Sequence, residues 1–469
     1  MNKTLIKLFY LLFILTNIYD NTLKANVVSL TTEQVFPYHE KYRLDNGLSV
    51  ILSPNYNNPI IDISVYIDAG FLDDFKKKPK ISRGVFYSLF KGGTNKFTKK
   101  QMDEKLIQIG NKKNRFDTYG MMYSHSFIQN TCLKEDSEDC VELISQILIN
   151  PKFKGRNIIS TFFYNLLNIP FRNNVNKWGN IYNMFIGYKS LSDVYYNKYE
   201  LKKWYKEHII PHNITISISG DFNTLHMKNI INKYFSNWIS YASNTENNDY
   251  EINITENSGI NIAFNEESIF NSSGNSFSGV KISIIKKTDE IGMFSPEKKI
   301  ATRVFKRKKI PLIQKKIFGN SFITFNHDIS KSMPHLYIEA SNLDYSLMNT
   351  YYKSLIDAFK DYESNIITEE DIIFEKKELI KYIKDSSFNI RKTNDVFYEY
   401  IIRNSNNSSL DKDSLDIFTQ IQSVHDVDAV NSAAKEIFDT DNFIMLINGN
   451  LDSCKTFLEQ FDNVKYYYK

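Results

Sequence analysis

The chain has 469 residues and a net charge of +4 at neutral pH, with 42% hydrophobic and 14% aromatic residues. A chain of this length is expected to form roughly two to four domains. Its apolar content excludes a protein that is disordered throughout. The small net charge gives no indication of nucleic-acid binding, so we expect no nucleic-acid partner.

Residues 1–25 have the pattern of a secretory signal peptide. Two lysines precede an apolar run from Leu8 to Tyr19, and Ala25 is a small residue suited to a cleavage site. The run is shorter than the roughly 20 residues that a membrane-spanning helix requires. We therefore expect an exported protein. Because Leu23 fits poorly at the third position before the cut, an uncleaved N-terminal membrane anchor is the alternative.

In chain order, strands and helices alternate in the first half. The sequence predicts strands over Leu48–Leu52, Ile60–Ile67 and Tyr123–Leu133, and helices over Lys99–Ile109 and Ser137–Ile149. A threonine precedes the first of these helices as a plausible N-cap, and a proline stops the second.

The second half shows the same kind of order. Its predicted strands are Gly279–Ile285, Ser321–Phe325 and His335–Ala340, and its predicted helices are Leu347–Tyr362 and Glu369–Lys384. Strands and helices in mixed order predict an α+β fold with largely antiparallel sheets.

A long-range repeat relates the two halves. His212–Asp221 is an alternating strand that ends in Gly-Asp, and Asp441–Asn450 repeats this arrangement with Gly-Asn. A helix-like segment precedes each strand, which indicates two similar units of about 200 residues. We place a domain at 38–239, a polar linker at 240–258 and a second domain at 259–469.

The three cysteines, Cys132, Cys140 and Cys454, are too few for a disulfide framework. Cys132 and Cys140 could pair across the turn between a strand and a helix in an oxidising compartment. Two unpaired buried thiols are the favoured state.

Several stretches resemble the insulinase-like (pitrilysin-type) metallopeptidases at the spacing of that family. They are Leu44–Leu48 with Asp68–Gly70, Leu133–Asp136 with Asn150–Phe153, Ile209–Asn213 with Gly220–Asp221, and Ile367–Asp371 with Val424–Asp428. The resemblance spans about residues 40–455. It implies two homologous α+β halves, each a mostly antiparallel sheet with helices packed on it, that together form half of a clamshell.

The resemblance also locates the family's zinc motif, His-x-x-Glu-His, in which two histidines bind zinc and the glutamate activates the metal-bound water. In this chain Arg83 stands for the first histidine, Phe86 for the glutamate and Tyr87 for the second histidine. The third ligand should come from the helix around Ile158–Asn165, and no acidic residue occurs from Leu143 to Ser192. We therefore expect no metal, no cofactor and no peptidase activity from the chain alone.

Among the eight histidines, only His208 and His212 have the i, i+4 spacing of two ligands on one helix face. Pro211 lies between them and disfavours a continuous helix. Surface or packing roles are favoured over zinc ligation for this pair.

A second family site binds substrate through an arginine and a tyrosine on either side of a glycine. The matching positions here are Lys315, Gly319 and Phe322. Lysine keeps the charge without the bidentate fork, and phenylalanine keeps the ring without the hydroxyl. An ordinary helix-to-strand corner with a solvated lysine is the favoured interpretation, and a residual substrate-binding role for Lys315 and Phe322 is the alternative.

Nine basic residues cluster between Lys298 and Lys316. Such a run is usually a solvated helix face. The alternative is a docking surface for an acidic partner or a peripheral contact with anionic lipid head groups.

The resemblance thus implies an inactive peptidase homologue, expected in a bacterial periplasm. As the non-catalytic subunit of a heterodimer, it would bind a peptide substrate together with a zinc-bearing insulinase-like paralogue. A stand-alone peptide-binding or scaffold protein that uses an exposed sheet edge is the alternative. No Cys/His or Ser/His arrangement visible in the sequence supports a peptidase of another type.

Overall fold

The computed structural model describes residues 35–74, 81–110, 118–122, 125–154, 197–239, 261–266, 279–288, 295–328, 335–402, 417–440 and 443–467. The predicted signal peptide (1–25), third-ligand helix (158–165) and linker (240–258) lie outside these ranges. The bounds of the two domains therefore stay predictions.

The described part of the first half contains six strands and five helices. In chain order these are β1 Glu40–Arg43, β2 Ser49–Pro54, β3 Ile60–Ile67, α1 Ile81–Lys91, α2 Lys99–Gln108, β4 Thr118–Met121, β5 Ser126–Leu133, α3 Ser137–Ile149, α4 Lys198–His208, β6 Ile214–Gly220 and α5 Thr224–Phe235.

The described part of the second half contains six strands and eight helices. In chain order these are β7 Asn261–Glu266, β8 Val280–Lys287, α6 Pro296–Lys308, α7 Ile310–Lys316, β9 Phe322–Asp328, β10 His335–Leu343, α8 Met348–Lys360, α9 Glu369–Ser386, α10 Ile390–Phe397, α11 Ile417–Ser423, α12 Val427–Phe438, β11 Ile444–Gly449, α13 Leu451–Leu458 and β12 Val464–Tyr467. A π-helical turn, Tyr398–Ile402, follows α10.

Side-chain caps explain where several helices begin. Thr98 accepts a hydrogen bond from the Gln101 amide, and the Gln101 side chain accepts one from the Thr98 amide. Thr368 and Asp371 form the same reciprocal pair at the start of α9. Such capping boxes satisfy amide groups that have no partner within the helix.

The strands form two six-stranded sheets with matching topology. The first sheet has the order β1-β2-β6-β3-β5-β4, and the second has the order β12-β7-β11-β8-β10-β9. Four of the five pairings in the first sheet and three of the five in the second are antiparallel. The predicted α+β fold with mostly antiparallel sheets is confirmed.

Five strands of each sheet correspond in order: β2, β6, β3, β5 and β4 in the first sheet match β7, β11, β8, β10 and β9 in the second. The internal repeat seen in the sequence is therefore a repeat of topology. The sheets differ at one edge, because β1 pairs antiparallel with β2 whereas β12 pairs parallel with β7.

The glycine that ends β6 has a packing reason. Gly220 has φ +136°, and a Cβ there would lie 2.2 Å from the Ile60 carbonyl oxygen. Any larger residue would therefore push β6 away from the neighbouring β3. The close approach of β6 and β3 therefore requires the glycine at the end of β6.

One face of the first sheet packs against helices to form the core of this half. Val65 on β3 packs with Val85 and Leu89 on α1 and with Trp204 on α4, and all four are fully buried. The second half has its own core, in which Phe305 on α6 stacks on Phe438 on α12 with ring centroids 4.4 Å apart.

The other face of the first sheet is polar but equally buried, because α10 of the second half covers it. Strand alternation places Asp62, Ser64 and Tyr66 on this face of β3, opposite Ile61, Ile63 and Val65. Asn394 on α10 donates to the Asp62 carboxylate at 2.7 Å. The two halves are therefore joined through a buried polar network.

Candidate functional site

Helix α1 carries the three positions that the resemblance assigns to zinc chemistry. Arg83 is exposed, and its guanidinium lies 5.6 Å from the centre of the Phe71 ring. Phe86 is 4% exposed and belongs to the core of the first half, where its ring lies 6.3 Å from that of Phe90. Tyr87 is half-buried.

Two of these three side chains, Arg83 and Phe86, cannot bind a zinc ion. A guanidinium is a cation with only donor groups, and a phenylalanine ring has no donor atom to offer a metal. Phe86 also points into the core, where it could not contact a metal-bound water. Within the described ranges, no group of three or more histidine, cysteine, aspartate or glutamate side chains could hold a metal ion.

Beside α1, the turn Phe71–Asp73 contains an acidic group in an unusual state. The Gly70 amide donates to the Asp73 carboxylate at 2.7 Å. Desolvation nevertheless raises the pKa of Asp73 to about 7. The carboxyl group is therefore only partly ionised at neutral pH, which weakens it as a metal ligand.

The pair His208 and His212 is split between two elements, as Pro211 indicated. His208 ends α4, with its ring 4.6 Å from that of Trp204, and burial lowers its pKa to about 4. His212 lies in the following 3-10 turn, is exposed, and packs its ring against Gly47. Both rings thus have packing contacts of their own.

The corner between α7 and β9 contains Lys315 and Phe322. Lys315 is exposed in the last turn of α7, and Phe322 is 55% exposed at the start of β9. Gly319 between them has φ +90°, in the left-handed region that favours glycine. The structure therefore leaves the charge and the ring open to solvent.

A side-chain bridge fixes the shape of this corner. The Gln314 amide donates to the Ser321 carbonyl at 2.9 Å, and its oxygen accepts from the Ile323 amide at 2.9 Å. Leu312 and Phe318 are 52% and 73% exposed, so the corner presents apolar surface as well as charge.

Most of the basic stretch is paired within the fold. Arg307 pairs with Asp371 and Glu375 on α9, each at 2.7 Å. Arg303 also pairs with Glu375, and Lys308 also pairs with Asp371. Lys298 pairs with Glu436 at 2.5 Å and Lys309 with Asp361 at 2.6 Å. Five of the nine cations thus pair with four carboxylates of the fold, which favours the structural interpretation over a docking surface between Lys298 and Lys316.

The three cysteines are free thiols, all of them buried. Asn130 donates to Cys140 Sγ at 3.0 Å. The neighbouring Cys132 thiol and burial raise the pKa of Cys140 well above its usual value. The favoured state of unpaired buried thiols agrees with this arrangement.

The polar network under α10 was not foreseen from the sequence. Arg391 donates to Asp62 at 3.3 Å and to Thr131 at 2.9 Å. The Asn394 carboxamide accepts from Ser217 and Ser219 at 2.8 and 2.7 Å. The signal available in the sequence was a polar residue at every second position of β3 and β6, which gives each strand one apolar and one polar face. A polar face of this kind can be buried only when polar groups of another element cover it.

Comparison with known proteins agrees with this fold. Residues 196–282 match the family model described as the peptidase M16 inactive domain. No curated protein shows significant sequence similarity to the chain.

Three solved structures illustrate the similarity in fold. A protease from Helicobacter pylori is 13% identical with a TM-score of 0.69, covering 88% of this chain and 100% of its own. A peptidase M16 inactive domain from Pseudomonas fluorescens is 13% identical with a TM-score of 0.64, covering 88% and 98%. The periplasmic protease PqqL from Escherichia coli is 12% identical with a TM-score of 0.67, covering 89% of this chain and 48% of its own.

The topology and the position of α1 therefore define an M16-type peptidase fold. The family-model match covers residues 196–282, and the matched model is that of an inactive domain.

Proposed function

We propose that this inactive insulinase-family protein is the non-catalytic subunit of a zinc peptidase. The observation that carries the proposal is α1, where the resemblance assigns the zinc-motif positions to Arg83, Phe86 and Tyr87 and where Phe86 packs into the core. Because the sequence also lacks acids from Leu143 to Ser192, the chain offers no third ligand there. Catalysis must then come from a zinc-bearing paralogue.

The comparison with PqqL supports a partner. This chain covers 48% of the length of PqqL, so a protease of that kind contains as much again. A peptide has to be held on both sides before a metal-bound water can be aimed at its carbonyl. In this proposal our chain supplies one wall and the paralogue supplies the metal.

The corner around Lys315 and Phe322 is the proposed peptide contact on that wall. Its exposed lysine suits a peptide carboxylate, and its exposed ring suits an apolar side chain. The fixed shape given by Gln314 reduces the ordering cost of binding.

We place the complex in the bacterial periplasm. The signal-like pattern of residues 1–25 supports export, and PqqL is a periplasmic protease. No helix among the described residues has the length and apolar character needed to cross a membrane. Mass spectrometry of the N-terminus from the native host tests this: cleavage near Ala25 is expected, and an intact Met1 on a membrane-bound chain would indicate an anchor instead.

Co-expression with an M16 paralogue that carries His-x-x-Glu-His tests the subunit proposal. We expect one complex on size-exclusion chromatography, higher turnover of a fluorogenic peptide than by the paralogue alone, and no stoichiometric zinc on our chain by elemental analysis. Zinc that is lost with His208→Ala or His212→Ala would refute the metal-free assignment.

Lys315→Glu tests the corner, and Lys316→Glu is its matched control, since both lysines are exposed in the same helical turn. Lys315→Glu should lower peptide turnover with assembly intact, while Lys316→Glu should have the smaller effect. Equal turnover by both variants would show that the corner does not contact the peptide.

A stand-alone peptide-binding function is the second candidate. It is supported by β9, which forms an edge of the second sheet and exposes Phe322, Thr324 and Asn326. Such an edge can accept an added strand. If no complex with a paralogue forms but the isolated chain binds extended peptides in fluorescence anisotropy, this function replaces the first.

A further inference from the structure

A pocket of 390 Å³ lies where the two halves meet, at the end of the polar network. Tyr66, Phe127 and Gln129 line it from β3 and β5, and Asp395, Tyr398 and Glu399 line it from α10 and the π-helical turn. A volume of this size is at the lower end of that of small-molecule sites, roughly 300–1,000 Å³.

The pocket lies on the opposite side of the first sheet from α1. Val65 faces the core that α1 shares, whereas the next residue, Tyr66, faces the second half. The pocket is therefore separate from the vestigial zinc-motif positions, and the inference below does not depend on the proposed function.

Aromatic rings form one wall. The Tyr66 and Tyr398 rings stack with centroids 4.4 Å apart, and the His125 ring lies 4.6 Å from that of Tyr398. Tyr398 begins the π-helical turn. This backbone form is rare in proteins as a whole but common at functional sites. The negative faces of tyrosine rings attract organic cations.

Two carboxylates stand beside these rings. Gln129 donates to Asp395 at 2.6 Å, which orients the carboxylate, and Glu399 follows one helical turn later. Within the described ranges neither acid has a cation at ion-pair distance, and Arg391, which is bound to Asp62, acts on Asp395 only through its charge. Desolvation raises the pKa of Asp395. The pocket therefore has a negative charge that Arg391, shared with Asp62, offsets only in part.

Tyr66 lines the pocket with its ring. Tyr66 is 5% exposed, and its hydroxyl is fully buried beside the polar side chains of Ser64, Gln129 and Asp395. The ring is therefore the part of Tyr66 that a ligand can contact.

We propose that this pocket binds an organic cation, an alkylammonium or guanidinium group, between the tyrosine rings and the carboxylates of Asp395 and Glu399. The cation stacks on the aromatic wall and donates to the two carboxylates. The ligand is either a free small cation or a lysine or arginine side chain of a peptide, since both present the same group.

Isothermal titration calorimetry on the full chain tests the proposal with three probes. Agmatine represents the free cation, an acetylated arginine tripeptide represents the side chain, and the same tripeptide with citrulline is the neutral isostere. We expect saturable binding of at least one cationic probe and none of the citrulline peptide. Binding of agmatine alone would identify a small metabolite-type ligand, and binding of the peptide alone would identify a side-chain ligand.

Asp395→Asn and Glu399→Gln should each weaken binding roughly tenfold or more, since a hydrogen bond to a charged group contributes about 1.5–3 kcal/mol. Tyr66→Phe keeps the ring stack and should leave binding nearly unchanged. Asp385→Asn is the matched control, because it removes the same charge from an exposed position on α9 outside the pocket.

Circular dichroism establishes that each variant is folded before titration. Two results would overturn the proposal. One is the absence of binding heat for both cationic probes with the folded wild-type chain, and the other is equal binding by wild type, Asp395→Asn and Glu399→Gln.

Discussion

Replacing Asn394 with alanine tests whether α10 holds the two halves together. Asn394 is fully buried. It donates to the Asp62 carbonyl and carboxylate at 3.1 and 2.7 Å, and it accepts from Ser217 and Ser219 at 2.8 and 2.7 Å. Alanine removes all four hydrogen bonds and leaves the first sheet's polar atoms facing a small void.

The expected cost follows from these contacts. Each hydrogen bond contributes about 1 kcal/mol, and a buried partner left unpaired costs about 1–3 kcal/mol. Asp62 keeps hydrogen bonds from Ser64 and Thr131 and the pairing with Arg391, so its penalty is at the low end. We expect Asn394→Ala to lower the free energy of unfolding by about 3–4 kcal/mol.

Urea unfolding followed by tryptophan fluorescence is the assay. The three tryptophans, Trp178, Trp204 and Trp238, all lie before the predicted linker, so fluorescence reports on the first half. Asn394 belongs to the second half. With a slope of about 3 kcal/mol per molar urea, the fluorescence midpoint should fall by roughly 1 M.

Asn389→Ala is the matched control. Asn389 is exposed and caps α10 by accepting from the Arg391 and Lys392 amides, so its loss should cost only about 1 kcal/mol. The reasoning fails if Asn394→Ala shifts the circular-dichroism transition and leaves the fluorescence midpoint in place, because the first half would then not depend on α10.

Two further predictions concern pH. Burial lowers the pKa of His208 to about 4, so the neutral form stabilises the fold above pH 6.5 and this stability is lost as the pH falls from 6.5 to 4. His208→Gln should flatten that part of a thermal-unfolding pH profile, and an unchanged profile would contradict the burial argument. Desolvation raises the pKa of Asp73 to about 7, so its protonated form stabilises the fold at low pH and this stability is lost as the pH rises from 4 to 7. Asp73→Asn should therefore raise the melting temperature above that of the wild type, and by more at pH 8 than at pH 4. A larger gain at pH 4 would refute the assignment.

Local patterns were sufficient for much of the fold. Strand β3 has the predicted bounds, Ile60–Ile67, because β-branched residues fill it and turns flank it. Helix α2 begins after its threonine cap as predicted, and Met102 and Leu106 are buried on one face. These features depend on residues that are close in the sequence.

The functional surfaces depend on residues that are far apart. The basic stretch gave a pattern of charges, but its partners Asp371 and Glu375 lie more than 60 residues further on. Asp62 and Asn394 are 332 residues apart. No periodicity within either segment specifies which distant helix covers the polar face of β3, so the network and the pocket beside it had to be found in the structure.

The core position of Phe86 implies that the family's zinc motif cannot simply be written back into α1. Phe86 is 4% exposed, with its ring near that of Phe90, so Phe86→Glu would place a carboxylate where a ring now packs. Losing the ring and burying an acid without a partner should cost about 3–5 kcal/mol. Tyr87→His, at a half-buried position, should cost far less and is the control. The combined variant with Arg83→His, Phe86→Glu and Tyr87→His should be destabilised and, for want of a third ligand in the acid-free stretch from Leu143 to Ser192, should bind no stoichiometric zinc in elemental analysis. A stable triple variant that holds one zinc would mean that the site has lost only its ligands, whereas the expected outcome means that α1 now serves the core of the first half.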